Sequence, residues 1–158
     1  MIEAMRPDDW PAVRAIYLEG IAGGNATFET EGPPWEQWDA KQLPEPRLVY
    51  RDPEVIGWAA LSRVSPRACY AGVCEVSVYV ATSAHGRGIG SQLLGALVKE
   101  SEANGIWTLQ ASIFPENEAS VQLHMRCGFR IMGRRERIAQ LHGVWRDTLI
   151  LERRSSIV

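Results

Sequence analysis

Hydrophobic and polar positions alternate between Val73 and Val80. Val76, Val78 and Val80 point one way, and Glu75, Ser77 and Tyr79 the other, so the period of two predicts a strand. The valines suit a core face. The second set is a polar row that would line a cleft. From Gly88 to Ala103 the period changes: Ile89, Leu93, Leu94, Leu97 and Val98 make one apolar stripe, and Asn104-Gly105 stops the helix. Between strand and helix lies Gly86-Arg87-Gly88-Ile89-Gly90.

The flanking pattern predicts a strand over Ile2–Met5, broken by Arg6-Pro7-Asp8-Asp9 with an aspartate placed to cap a helix. Trp10, Val13, Ile16 and Tyr17 then recur at helical spacing up to Leu18, and Gly20 to Gly24 loosens the backbone. Asn25–Thr30 reads as extended or looping, and Pro33-Pro34 opens a short helix, Trp35–Gln42. Leu48–Arg51 and Val55–Leu61 form a hairpin around Asp52-Pro53. Ile106–Ile113 is a further strand. Pro115-Glu116-Asn117 opens a helix that ends near Cys127-Gly128. Phe129–Arg137 and Val144–Leu151 are two last strands, joined by a loop at Gln140–Gly143. No repeat or linker divides the chain, so residues 1–158 are expected to form one domain.

Composition narrows the function. A net charge of −2 and a pI near 5.9 argue against a nucleic-acid partner, which needs a basic face. Arg134, Arg135 and Arg137, and Arg153 with Arg154, read as solvated strand edges or local cofactor contacts rather than a nucleic-acid patch. Cys69, Cys74 and Cys127 make neither a C-x-x-C pair nor an even set. That disfavours a disulfide framework or a metal site and suits a cytoplasmic location. No signal peptide or apolar run of membrane-spanning length is visible.

Three constellations carry chemistry. The glycine loop, followed by a helix N-terminus, is either a plain strand-to-helix turn or a cradle of backbone N–H groups aimed at one point, as a phosphate or pyrophosphate requires. It lacks both the Gly-Lys-Ser/Thr ending of a nucleotide phosphate loop and the third glycine of a dinucleotide site. Asn117, Ser120 and His124 share one helix face, as a capped helix start with a histidine or as a row of ligand contacts. Arg67, Tyr70 and Glu75, with Ser77 and Tyr79, suit a zwitterionic or anionic small molecule, or else a solvated loop with one buried ion pair.

The glycine motif resembles that of the GNAT acetyltransferase superfamily, Gln/Arg-x-x-Gly-x-Gly/Ala, with Gly88 and Gly90 matching and His85 in the Gln/Arg position. Four further stretches are similar to the phosphinothricin and methionine sulfoximine N-acetyltransferases of that superfamily. They are Ala26–Thr30, Glu75–Val80, Asn117-x-x-Ser120-x-x-Leu123-His124-x-x-x-Gly128-Phe129 and Gly143-x-Trp145-x-Asp147. A lysine or second cation that some relatives carry is here Ser65.

The resemblance implies an α/β (α+β) fold: a mixed, mostly antiparallel sheet, splayed at the acetyl-CoA site, with helices on both faces. It implies acetyl-CoA as co-substrate, bound by Val78, Tyr79, Val80, His85, Gly86, Arg87, Gly88, Ile89, Gly90, Ser91, Asn117 and Ser120. Phe28, Arg67, Tyr70, Ser77, Tyr79 and Trp145 would form the pocket for a small amino-acid-like amine, Trp145 either packing in the last strand or reaching over from a neighbouring subunit. Glu75 would be the base, or the holder of the substrate ammonium, and His124 the proton donor to the leaving thiolate. The resemblance also implies a homodimer and a detoxifying role, and neither a metal nor a membrane is expected. Acetylation of peptides, or acyl-CoA binding without catalysis, are the alternatives.

Overall fold

The computed structural model describes residues 1–158. Seven strands make one sheet: β1 (Ile2–Ala4), β2 (Gln42–Arg51), β3 (Val55–Arg63), β4 (Val73–Val80), β5 (Thr108–Ile113), β6 (Arg130–Leu141) and β7 (Val144–Arg154). Their spatial order is β1-β2-β3-β4-β5-β7-β6, and only β4 and β5 run parallel. Four helices complete the chain: α1 (Trp10–Gly23), α2 (Trp35–Lys41), α3 (Ile89–Ala103) and α4 (Glu118–Arg126). None is long and apolar enough to cross a membrane.

Adjacent residues of β3 show which helices cover which face. Trp58 packs against Tyr17 of α1, with ring centroids 6.0 Å apart, and against Trp38 of α2 at 5.5 Å. Gly57 points the opposite way, where a Cβ would lie 2.8 Å from Leu93 and 3.3 Å from Ile89 of α3. The helices therefore cover both faces, as expected. The apolar stripe of α3 is buried on the sheet, with Leu93, Leu94 and Leu97 fully covered.

Several elements differ from the sequence reading: β2 starts at Gln42, six residues before the expected Leu48, and β7 runs to Arg154, three beyond Leu151. Helix α1 does not stop at Leu18 but runs to Gly23, ending at Gly24 with φ 78°. Gly20 serves packing rather than looseness: a Cβ there would lie 2.8 Å from the ring of Tyr79. Strand β6 continues past Arg137 to Leu141, and the expected four-residue loop shrinks to His142-Gly143, with φ of 50° and 78°. Positive φ at both central residues suits the twist of a tight hairpin. The strand passes through an irregularity at Arg137, φ 44°, whose N–H donates to Asp147 at 2.7 Å.

Candidate active site

The cleft begins where β4 leaves β5. The two strands pair only at Val73–Thr108, Cys74–Leu109 and Glu75–Gln110. Beyond Glu75 they part. Val64 N–H donates to Val73 O, and Ala81 N–H to Ile56 O, so the odd-numbered residues of β4 turn their main-chain groups toward β3. Val78 and Val80 consequently turn theirs into the gap. His85 meets the Val80 carbonyl through Nε2 at 3.0 Å.

The gap continues into an amide cradle. Gly86 and Gly88 have φ of 79° and 73°, and a Cβ on either would project into open space. Gln92 N–H is the first of its helix to find a partner, the Gly88 carbonyl at 3.1 Å. From Gly86 to Ser91 no N–H bonds within the protein. Six successive free donors at the N-terminus of a fifteen-residue helix fit a pyrophosphate by hydrogen bonding and dipole together. Gly90 turns away, where a Cβ would lie 2.6 Å from Leu123 of α4.

The whole cleft has a volume of about 1040 Å³. Glu75, Ser77 and Tyr79 line it, but so do Val76, Val78 and Val80, which the alternation assigned to the core, and of these only Val76 is buried. Tyr79 is also a packing residue, forming a three-ring cluster with Tyr17 and Trp58, its centroid 5.0 Å from each. Burial, and then the neighbouring Tyr17, raise its phenol pKa, so it is a neutral donor in the working range. The segment Asn25–Pro34 borders the cleft, with Phe28 set edge-on against Phe114 at 4.8 Å.

Helix α4 contributes Asn117, Ser120 and His124. Asn117 caps the helix, its Oδ1 accepting from Ser120 N–H at 3.3 Å, while its Nδ2 donates to Asn25 O at 3.1 Å. His124 is buried, edge-on to Phe129, and its Nδ1 is 2.7 Å from the Ser120 carbonyl. A carbonyl only accepts, so Nδ1 carries the proton. Burial lowers the imidazole pKa against the opposing Ser120 bond. Near neutral pH Nε2 is therefore an unprotonated acceptor, which does not suit the donor role expected for His124.

Glycine loop, β4 and α4 thus come together with Phe28, as the sequence reading required. Arg67, Tyr70, Arg87 and Trp145 do not line the cleft. Arg67 stacks on Tyr70 at 5.5 Å in the loop before β4, because their section of chain precedes the parting of the sheet. Arg87 pairs with Asp52 at 3.0 Å. Trp145 stands 54% exposed beside the hairpin turn. The cations that do line the cleft include Lys41 and Arg135. Neither was marked as an acceptor contact: Lys41 ends a short helix, and Arg135 belongs to a run that reads as a strand edge or a local cofactor contact.

The Acetyltransferase (GNAT) family model matches residues 7–129. An L-methionine sulfoximine/L-methionine sulfone acetyltransferase of Pseudomonas aeruginosa is 34% identical, over 91% of this chain and 88% of its own. The crystal structure of a ribosomal-protein-alanine N-acetyltransferase from Brucella melitensis superposes with a TM-score of 0.89 at 30% identity, covering 98% of this chain and 99% of its own. A phosphinothricin acetyltransferase from Sinorhizobium meliloti, solved with acetyl-CoA, gives 0.87 at 28% identity, covering 98% and 87%.

Proposed function

Because the chain belongs to the GNAT family of acetyltransferases, we propose that it moves an acetyl group from acetyl-CoA to the amino group of a small amino acid or analogue, of the phosphinothricin or methionine sulfoximine type. The observation that carries this reading is the cradle of free amides from Gly86 to Ser91 at one end of a cleft whose β4 wall bears Glu75. Acetyl-CoA supplies an activated carbonyl carbon and a thiolate leaving group.

The chain's residues then act as follows. The Gly86–Ser91 amides hold the pyrophosphate. Glu75 takes one proton from the acceptor ammonium, directly or through water, and frees the nitrogen lone pair. The N–C bond forms, and Val78 or Val80 N–H donates to the carbonyl oxygen as it gains charge. As the C–S bond breaks, the nitrogen loses its second proton to the departing sulfur or to water. His124 stays neutral and accepts a hydrogen bond from the pantetheine arm through Nε2. Ser120 lines that arm, and Asn117 fixes the helix start behind it.

The acceptor lies among Phe28, Ser77 and Tyr79. Its acidic group meets Lys41 or Arg135, and Arg67 and Tyr70 join only if their loop folds over. The enzyme works as a cytoplasmic homodimer in which Trp145 reaches the partner's cleft. Its role is detoxification of amino-acid analogues, with no nucleic acid or membrane involved.

The likeness to the Brucella melitensis enzyme favours a second reading, transfer to a protein N-terminus. The Asn25–Pro34 segment along the cleft argues for a small acceptor instead. One assay separates them: thiol release from acetyl-CoA with phosphinothricin, methionine sulfoximine, and peptides beginning with alanine. The small analogues should be turned over and the peptides not. Glu75→Gln should lower kcat about 100-fold while acetyl-CoA binds as before. Turnover of the peptides alone would overturn the acceptor, and an unchanged rate would overturn the base.

A further inference from the structure

The segment Asn25–Pro34 is held to the domain by side chains, because no N–H from Asn25 to Gly32 makes a main-chain hydrogen bond. Arg14 secures its far end, donating to Gly32 O at 3.2 Å and Pro33 O at 3.1 Å. Arg146 of β7 secures the near end. Its guanidinium donates to Gly24 O at 3.0 Å and to Asn25 Oδ1 at 2.7 Å, and pairs with Glu116 at 3.3 Å. The same group lies 4.1 Å from the ring centroid of Phe114. Phe114 in turn meets Phe28.

We infer that Arg146 is a positioning residue for the acceptor. It fixes Phe28 from two directions, through the backbone at Gly24–Asn25 and through the ring of Phe114. The inference rests on the reading of this cleft as an acetyltransferase site.

Arginine suits the position for physical reasons. Three oxygens converge on it from different angles, and a flat guanidinium can donate to all of them while stacking on a ring. Lysine offers a point charge with no plane. Arg146 touches nothing in the amide cradle, and the Asn117 bond to Asn25 survives its loss. Removing Arg146 should therefore loosen the acceptor end and leave acetyl-CoA binding intact.

The test uses Arg146→Ala and Arg146→Lys in the full chain. Glu29 and Glu31 lie exposed within the segment, so a glutamate-specific protease reports how often it opens. Cleavage there should quicken about tenfold in the alanine variant and less in the lysine variant. The acceptor KM should rise by a similar factor, with kcat within about threefold and acetyl-CoA KM within about twofold.

Unchanged cleavage would overturn the anchoring. Faster cleavage with an unmoved acceptor KM would overturn the positioning role. A parallel loss of kcat, both KM values and the thermal midpoint would reduce Arg146 to a general fold support and overturn the inference. Where the alanine variant does not fold, the lysine variant carries the same comparison. Faster cleavage in a protein whose parent acetylates no amine would instead sink the acetyltransferase reading and leave the anchoring in place.

Discussion

His124 is set by two neighbours: the Ser120 carbonyl fixes the proton on Nδ1, and the Phe129 ring closes one side. Its pKa lies below the ordinary 6.5, with burial as the main cause. In the unfolded chain the same imidazole takes up a proton near 6.5, so below that pH the unfolded state binds more protons than the folded one. His124 therefore contributes full stability above about pH 6.5, and that contribution is lost as pH falls toward the depressed value. Urea unfolding of wild type and His124→Gln between pH 7.5 and 5 would measure it. The wild type should lose up to about 1.4 kcal/mol per pH unit more than the variant within that window. Parallel curves would show the ring to be protonated or solvated in the fold. The sequence showed that His124 shares a face with Ser120 and Asn117. It could not show which nitrogen carries the proton, because that depends on a carbonyl one turn earlier and on burial.

Element boundaries follow the same logic. The sequence made β4, the glycine loop and α3 legible because each has its own period or punctuation, and the structure keeps all three within a residue or two. The end of α1 was not legible. A run of glycines ordinarily stops a helix, but Gly20 is needed where the helix meets Tyr79, nearly sixty residues later. Arg146 was equally silent, since its partners Gly24 and Asn25 lie about 120 residues away in sequence. The loop itself offers a direct check. Gly88 has φ 73°, which a β-branched residue adopts only at a cost of about 1–2 kcal/mol, and its absent side chain leaves open the space beside the free amides. Gly88→Val should weaken acetyl-CoA binding at least tenfold, or about 1.4 kcal/mol. The ligand-induced rise in thermal midpoint should shrink with it. Retention of full affinity would move the pyrophosphate out of this cradle.

At the scale of the molecule the unusual surface is the outer edge of the sheet. Strand β6 is twelve residues long, lies last in the order, and stays exposed until its final residues. Ile131, Met132 and Ile138 on it, with Val144 and Trp145 across the hairpin, are each 46–60% exposed. A long edge with apolar side chains is a template for another strand. An edge strand that pairs with its own copy about a two-fold axis is used up by one partner, so a closed dimer fits better than a fibre. A second copy would cover the apolar residues and give Trp145, which lies outside its own cleft, a place near the partner's. Sedimentation should give twice the 17.6 kDa of the chain. Ile131→Glu should shift that mass toward the monomer, because it would desolvate a carboxylate against its own copy. If Trp145 completes the partner's acceptor site, the dissociated variant should show a raised acceptor KM but an unchanged affinity for acetyl-CoA, whose cradle lies wholly within one chain. A fully active wild-type monomer would remove both the interface and the shared site.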